Sequence, residues 1–251
     1  MSETKINEVV AGIHRISTCV PDVAPGGFTF NQFLLAGEEP MLFHTGPRGM
    51  FPLVSEAIAT LMPVDRLAWL SFGHVESDEC GAMNSFLKAA PSAQVAHGEI
   101  GCMVSLNDLA DRPPRVLADG EVLDLGGFRM RCIYTPHVPH GWESILFFEE
   151  VTRTLFCGDL FTQPGDGPAL TTDPIVDAAV EAEAMFRASS LAPTTGATLR
   201  KLADLDPAFL ALMHGSTFQG DCAGELRGLA QAYEERFMSS GGSSCPSPAS
   251  T

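Results

Sequence analysis

Apolar and polar positions along the chain change period from segment to segment. "EVVAGIHRIS" (8–17) alternates with the two-residue period of a half-buried strand, after a polar stretch, 1–7, that reads as frayed. "FTFNQFLLAG" (28–37) and "PMLFHTG" (40–46) are near-continuous apolar runs on either side of a turn at 37–40, and predict a hairpin of two buried strands. In "FPLVSEAIATLM" (51–62), Leu53, Ala57, Ile58 and Leu61 recur at helical spacing until Pro63 stops them. "RLAWLSF" (66–72) is a short apolar strand. A helix over 78–89 follows from Ala82, Met83, Phe86 and Leu87, and then a strand over 93–96.

Strand-like runs dominate the middle of the chain. "RVLADGEVLDLGGFRMRCIY" (115–134) holds turn signals at Asp119-Gly120 and Gly126-Gly127, and "SILFFEEVTRTLFCGD" (144–159) reads as a hairpin. "DPIVDAAVEAEAMFRAS" (173–189) opens with an Asp cap and a Pro in the first turn, which predicts a helix. A helix at 197–204, a strand at 208–213 and a helix at 222–237 complete the pattern. The closing "SSGGSSCPSPAST" is rich in Ser, Gly and Pro and reads as a disordered tail, 239–251, beyond one domain over 1–238. Hairpins interrupted by helices fit an α/β fold of two mixed sheets packed face to face, with helices on both outer surfaces. Pattern alone leaves other α/β layouts open.

Composition narrows the function. The 251 residues carry 31 acidic and 15 basic side chains, a formal charge of −16, with the basic residues scattered. Phosphate backbones need clustered Lys and Arg, so nucleic acid is not an expected partner. No apolar run is long enough for a membrane span, and "MSETKINEVV" lacks the basic-then-apolar order of a secretory signal. The seven cysteines show no CxxC pair and sit mostly in apolar runs, as reduced core thiols of a cytoplasmic protein would. A GxSxG elbow, a phosphate-binding GxxxxGK[ST] loop and a GxGxxG turn after a strand are all missing.

What remains is metal chemistry. Four apolar segments each end in residues able to bind a cation: "WLSFGHVESDE" (His74, Glu76, Asp78, Glu79), "IYTPHVPHGWES" (His137, His140), "LFCGD" (Asp159) and "LALMHGS" (His214). Strand ends of this kind meet at one edge of a sheet sandwich. The i, i+2, i+4 spacing within 74–78 lets a looped backbone aim three side chains inward. His14 and His97 read as structural.

His74-Val75-Glu76-Ser77-Asp78 matches an HxExD motif, and eighteen residues separate His140 from Asp159. Together with "HGWES" and "FNQFLL", these features resemble the metallo-β-lactamase superfamily, and more closely its flavodiiron, oxygen-binding di-iron branch. The resemblance implies a four-layer αββα sandwich. It also implies that His74, Glu76 and His140 bind a first metal, that Asp78 and His214 bind a second, and that Asp159 bridges them. His140 is preferred to His137 by its interval to Asp159. Glu76 stands where the superfamily's hydrolases carry a second His, and extra hard oxygen donors suit two iron ions better than two zinc ions.

Two positions depart from the family pattern. Glu79 replaces a common His, and reads either as a further ligand or as a charge favoured at a helix start. His44, in "LFHTG", replaces a supporting Asp, and reads either as a hydrogen-bond donor to the metal loops or as a neutral buried His. The implied function is a di-iron protein that binds O2, reducing O2 or NO with electrons from a separate electron-transfer protein, or sensing oxygen. The flavodoxin-like domain of full flavodiiron proteins has no counterpart before residue 251, so no FMN is expected in this chain. A homodimer is compatible with the family's habit. The alternative is a dinuclear zinc hydrolase of an ester, thioester, lactone or phosphodiester.

Overall fold

The computed structural model describes residues 4–239 and 241. Two seven-stranded mixed sheets stack face to face. The first runs β1 (Thr4–Val10), β2 (Ile13–Val20), β3 (Phe28–Leu35), β4 (Met41–Phe43), β5 (Trp69–Ser71), β6 (Gln94–Gly98) and β7 (Arg115–Leu117) in simple spatial order. Its first four strands are antiparallel and the remaining pairings parallel. The second sheet has the order β12-β14-β13-β11-β10-β9-β8, built from β8 (Val122–Asp124), β9 (Arg129–Tyr134), β10 (Ile145–Glu149), β11 (Thr154–Phe156), β12 (Leu170–Thr171), β13 (Phe209–Ala211) and β14 (Thr217–Gln219).

The apolar runs are continuous because both faces of their strands are covered. On β3, Phe33 and Leu35 point into the layer between the sheets while Leu34 points outward, and Met41, Phe43 and Leu42 repeat this on β4. On β10, Ile145 and Phe147 face the same inner layer, and Leu146 and Phe148 face away. Phe156 of the second sheet meets Phe33 and Phe43 of the first at centroid distances of 5.6 and 5.1 Å. Helices α1 (Phe51–Ala59) and α3 (Met83–Ala89) close the outside of the first sheet. Helices α6 (Val176–Phe186), α7 (Thr195–Ala203) and α8 (Cys222–Ser239) close the second. This is the αββα sandwich the sequence implied.

Several elements differ from the pattern reading. The strand predicted over 8–17 is a hairpin, because Gly12 at φ +73° turns the chain between β1 and β2 and its N–H is taken by Glu8. Residues 4–7, read as frayed, pair in register with β2. The helix predicted over 78–89 is two: α2 (Ser77–Cys80), a break at Gly81, then α3. Residues 99–109, which carried no prediction, form α4 (Glu99–Gly101), a π turn at Cys102–Leu106 and α5 (Asn107–Leu109) in one helical run. The Asp173-Pro174 pair lies ahead of α6, whose N-cap is Ile175. Strands β12 and β14 are too short for period-based reading. Of the predicted tail, Ser239 closes α8 and Gly241 forms a turn, while the rest lies outside the described residues. The cysteines among the described residues are all free.

Candidate metal centre

Loops that leave strand ends of both sheets converge on one edge of the sandwich. The loop after β5 carries His74 and Glu76 and enters α2 with Asp78 in its first turn. His140 comes from the β9–β10 loop. Asp159 follows β11 through Gly158, at φ +51°, and His214 follows β13 ahead of Gly215, at φ +112°. Backbone bonds tie these loops across the sheets: Ile145 N–H donates to Gly73 O (2.8 Å), and Asn31 N–H donates to Met213 O (3.0 Å).

Two groups of donor atoms result, each within 4.8 Å: His74, Glu76, His140 and Asp159, and Asp78, Asp159 and His214. Glu76 Oε2 lies 2.9 Å from His74 Nε2 and 3.0 Å from His140 Nε2. Asp159 divides its two oxygens between the groups. Oδ2 faces His74 Nε2 and His140 Nε2 at 3.7 and 3.6 Å, and Oδ1 faces His214 Nε2 at 3.3 Å. Asp78 Oδ2 is also 3.3 Å from His214 Nε2. Every residue singled out as a ligand, except Glu79, falls in one of these groups. His137 is exposed in the turn that precedes His140 and stays outside both.

Glu79 is brought elsewhere. It is wholly buried behind His74, where its Oε2 accepts the backbone N–H groups of Gly73 (2.6 Å) and His74 (2.8 Å). Its Oε1 faces His74 Nδ1 and His44 Nε2, each at 3.3 Å. Glu79 thus lies outside both donor groups, with Oε2 turned to the loop backbone and Oε1 to the two imidazoles. The helix-start reading places it correctly in the first turn of α2 but misses its partners. His44, at φ +63° and fully buried, supports the loops through Glu79, with its Nδ1 3.3 Å from Asn31 O.

The electrostatics are those of a cation site. Burial alone would lower the His74 pKa, but Glu79, Glu76 and Asp159 outweigh it and raise it to about 12. At His214 burial is likewise overcome, by Asp159 and Asp78, and the pKa rises to about 10. Glu76 is held well below the carboxylate range by His140 and His74. Protons on imidazoles thus balance the carboxylates in the ion-free chain. Asp78 Oδ1 and Asp159 Oδ1 are buried without a hydrogen-bond partner, a costly arrangement unless a cation completes it. The donor set of imidazole nitrogen and carboxylate oxygen therefore fits metal ions.

Some supporting residues were invisible as such in the sequence. His214 Nδ1 donates to Thr29 O (2.7 Å), which leaves Nε2 as the free ligand atom. Asn31 Nδ2 donates to Leu212 O and Gly215 O, both at 2.8 Å, and the buried Arg15 donates to Gly215 O (2.9 Å). The signal available was polarity in the wrong place: Thr29, Asn31 and Gln32 interrupt a run that is otherwise all core. Phe28 and Phe30 pack on the His214 ring at 4.3 and 5.3 Å.

Comparison with known proteins agrees with this architecture. Over 221 residues the sequence is 25% identical to the rubredoxin-oxygen oxidoreductase of Megalodesulfovibrio gigas, a match covering 85% of this chain and 54% of that protein. Over 138 residues it is 28% identical to the diflavin flavoprotein A 3 of Nostoc sp., covering 54% of this chain and 24% of the relative. The chain thus spans from about a quarter to about half of the curated relatives it matches. Among solved structures, the Flv1 flavodiiron core from Synechocystis sp. superposes with a TM-score of 0.80 at 18% identity, covering 93% of this chain and 62% of that one. A fragment, 1–254, of diflavin flavoprotein A 5 from Nostoc sp. gives 0.81 at 13% identity, covering 96% and 99%. The model of the ODP family beta lactamases matches residues 28–215, well over half of the sequence, and the chain belongs to that family.

Proposed function

We propose that this protein is a di-iron protein that binds O2 and reduces O2 or NO with electrons from a separate electron-transfer protein. The observation that carries the reading is the division of Asp159, with one oxygen turned to each donor group. His74, Glu76 and His140 would hold one iron, Asp78 and His214 the other, and Asp159 would bridge. Two ferrous ions held there would supply electrons to a bound diatomic molecule, and the Megalodesulfovibrio gigas relative is by name an oxidoreductase acting between rubredoxin and oxygen.

The chain's own residues prepare the site. Three carboxylates against two divalent ions leave a net charge of +1, and hard oxygen donors favour iron over zinc. Thr29 fixes the His214 tautomer, and Glu79 fixes the His74 loop. Phe28 and Phe30 cover the His214 ring and keep water from its face. The name of the relative supports rubredoxin-like donors as the class of partner.

Metal analysis of anaerobically purified protein, followed by O2 titration of the ferrous form, tests the reading. About two irons per chain and an O2-dependent absorption change are expected. Zinc in their place, with hydrolysis of a simple ester, would overturn it.

A further inference from the structure

The centre opens on a cavity of about 300 Å3. A diatomic gas needs roughly the ~30 Å3 share of one water, so most of this space is not explained by O2 or NO. An apolar cavity of ~150 Å3 is already large enough to take up benzene. Here the walls are chiefly Phe28, Phe30, Phe186, Pro139, Ala179 and Ala182. Aromatic contacts hold them: Phe28 stacks on His214, and Phe186 meets Phe28 edge-on at 5.5 Å. Phe186 and Val23 line the cavity yet are 38% and 46% exposed, so they form an apolar rim.

The polar part of the lining selects by charge. Glu76, Asp78, Asp159 and the buried Glu183 all face the cavity, and none of its lining residues is Lys or Arg. Away from the donor groups Glu183 is the only charged wall residue, so an anion docked at the α6–α8 end would meet a carboxylate and no cationic partner. At the α6–α8 end, Ser189 Oγ donates to the Tyr233 hydroxyl (3.2 Å), which leaves the phenol's own hydrogen available to donate. Burial raises the Tyr233 pKa to about 12, so the phenol keeps that hydrogen.

We infer that this cavity binds an uncharged, mostly apolar organic molecule of two-ring size, with one hydrogen-bond acceptor taken by Tyr233. The inference rests on the proposed function only for what the occupant meets at the metal end. Its shape and charge preference follow from the walls.

The test uses the full chain, with metal content measured on every sample and binding followed by calorimetry and ligand-observed NMR. The probes are 1-indanone, indane and indane-1-carboxylate. Indanone should bind once per chain, and in chelator-treated protein the carboxylate should bind at least about tenfold more weakly. Ala182→Phe, at a wall position outside both donor groups, should weaken indanone at least about tenfold at unchanged metal content. Should that variant fail to fold, the smaller Ala179→Val serves the same purpose. Tyr233→Phe should weaken indanone about fivefold and leave indane unchanged. Indanone that binds wild type and the filled variant alike, or that does not bind at all, overturns the inference even when the metal is present. Indanone binding of the expected selectivity to a chain that takes up no metal supports it, while overturning the di-iron reading.

Discussion

Glu79 grips His74 from both sides of its Cα: one carboxylate oxygen accepts the His74 backbone N–H at 2.8 Å, and the other faces the ring's Nδ1 at 3.3 Å. The loop that presents His74 and Glu76 is therefore shaped by a charge only a few positions further on. Glu79→Gln keeps the side chain's shape and removes that charge. Metal affinity should fall about 10–100-fold, as for other groups behind a ligating His, and chelator competition measures it. Glu79→Ala leaves two buried N–H groups unpaired and should cost about 2–4 kcal/mol in urea unfolding.

Asp159 touches both donor groups, whereas His214 belongs to one. Asp159→Asn should therefore reduce bound metal from about two ions toward none, while His214→Ala should leave about one. Equal losses in the two variants would contradict the shared role of Asp159.

Glu76 sets the balance of oxygen and nitrogen donors. Glu76→His should shift the ratio of bound iron to zinc toward zinc by about tenfold or more, read by metal analysis after exposure to both ions.

Metal binding should release protons. Without a cation, His74 and His214 titrate near 12 and 10, above the ordinary 6.5, so both are charged at pH 8. A cation needs the neutral rings, so filling the centre at pH 8 should expel about two protons per chain, falling toward one as pH passes about 10. Calorimetry in buffers of different ionisation enthalpy counts them. The same raised values stabilise the ion-free fold below pH 6.5, and that contribution is lost as pH rises through about 10 and 12. Melting in chelator should move accordingly.

Gly158 precedes Asp159 at φ +51°, and a Cβ there would sit 3.2 Å from Glu79 Oε1. Glu79 is wholly buried and its other oxygen is held by two backbone N–H groups, so it has little room to give way. Gly158→Ala should cost about 1–3 kcal/mol in unfolding experiments and lower metal content with it.

The candidate ligands that the structure brings together were more legible in the sequence than the elements that carry them. His74, Glu76, Asp78, His140, Asp159 and His214 stood out because charged and imidazole side chains at the ends of apolar runs have few structural excuses. The two face-to-face sheets and their helical cover fitted runs too apolar to have an exposed face, whereas the strand order was not legible. The β1–β2 hairpin was missed because Gly12 turns within a pattern that keeps its alternation. The split between α2 and α3 was missed because Ala82, Met83, Phe86 and Leu87 keep helical spacing across the break. The position of Glu79 was hidden for another reason: a carboxylate beside three potential ligands looks like a fourth, and only the folded loop reveals that one of its oxygens accepts the N–H groups of both Gly73 and His74.

Because His74, Glu76 and Asp78 issue from one sheet while His140, Asp159 and His214 issue from the other, the centre sits on the seam between them. A pair of ions lodged there would act as a rivet through both halves of the sandwich. Chelation and denaturation then become two routes to the same loosening, and the rim of the seam should be the first place where backbone amides exchange with solvent once the rivet is drawn.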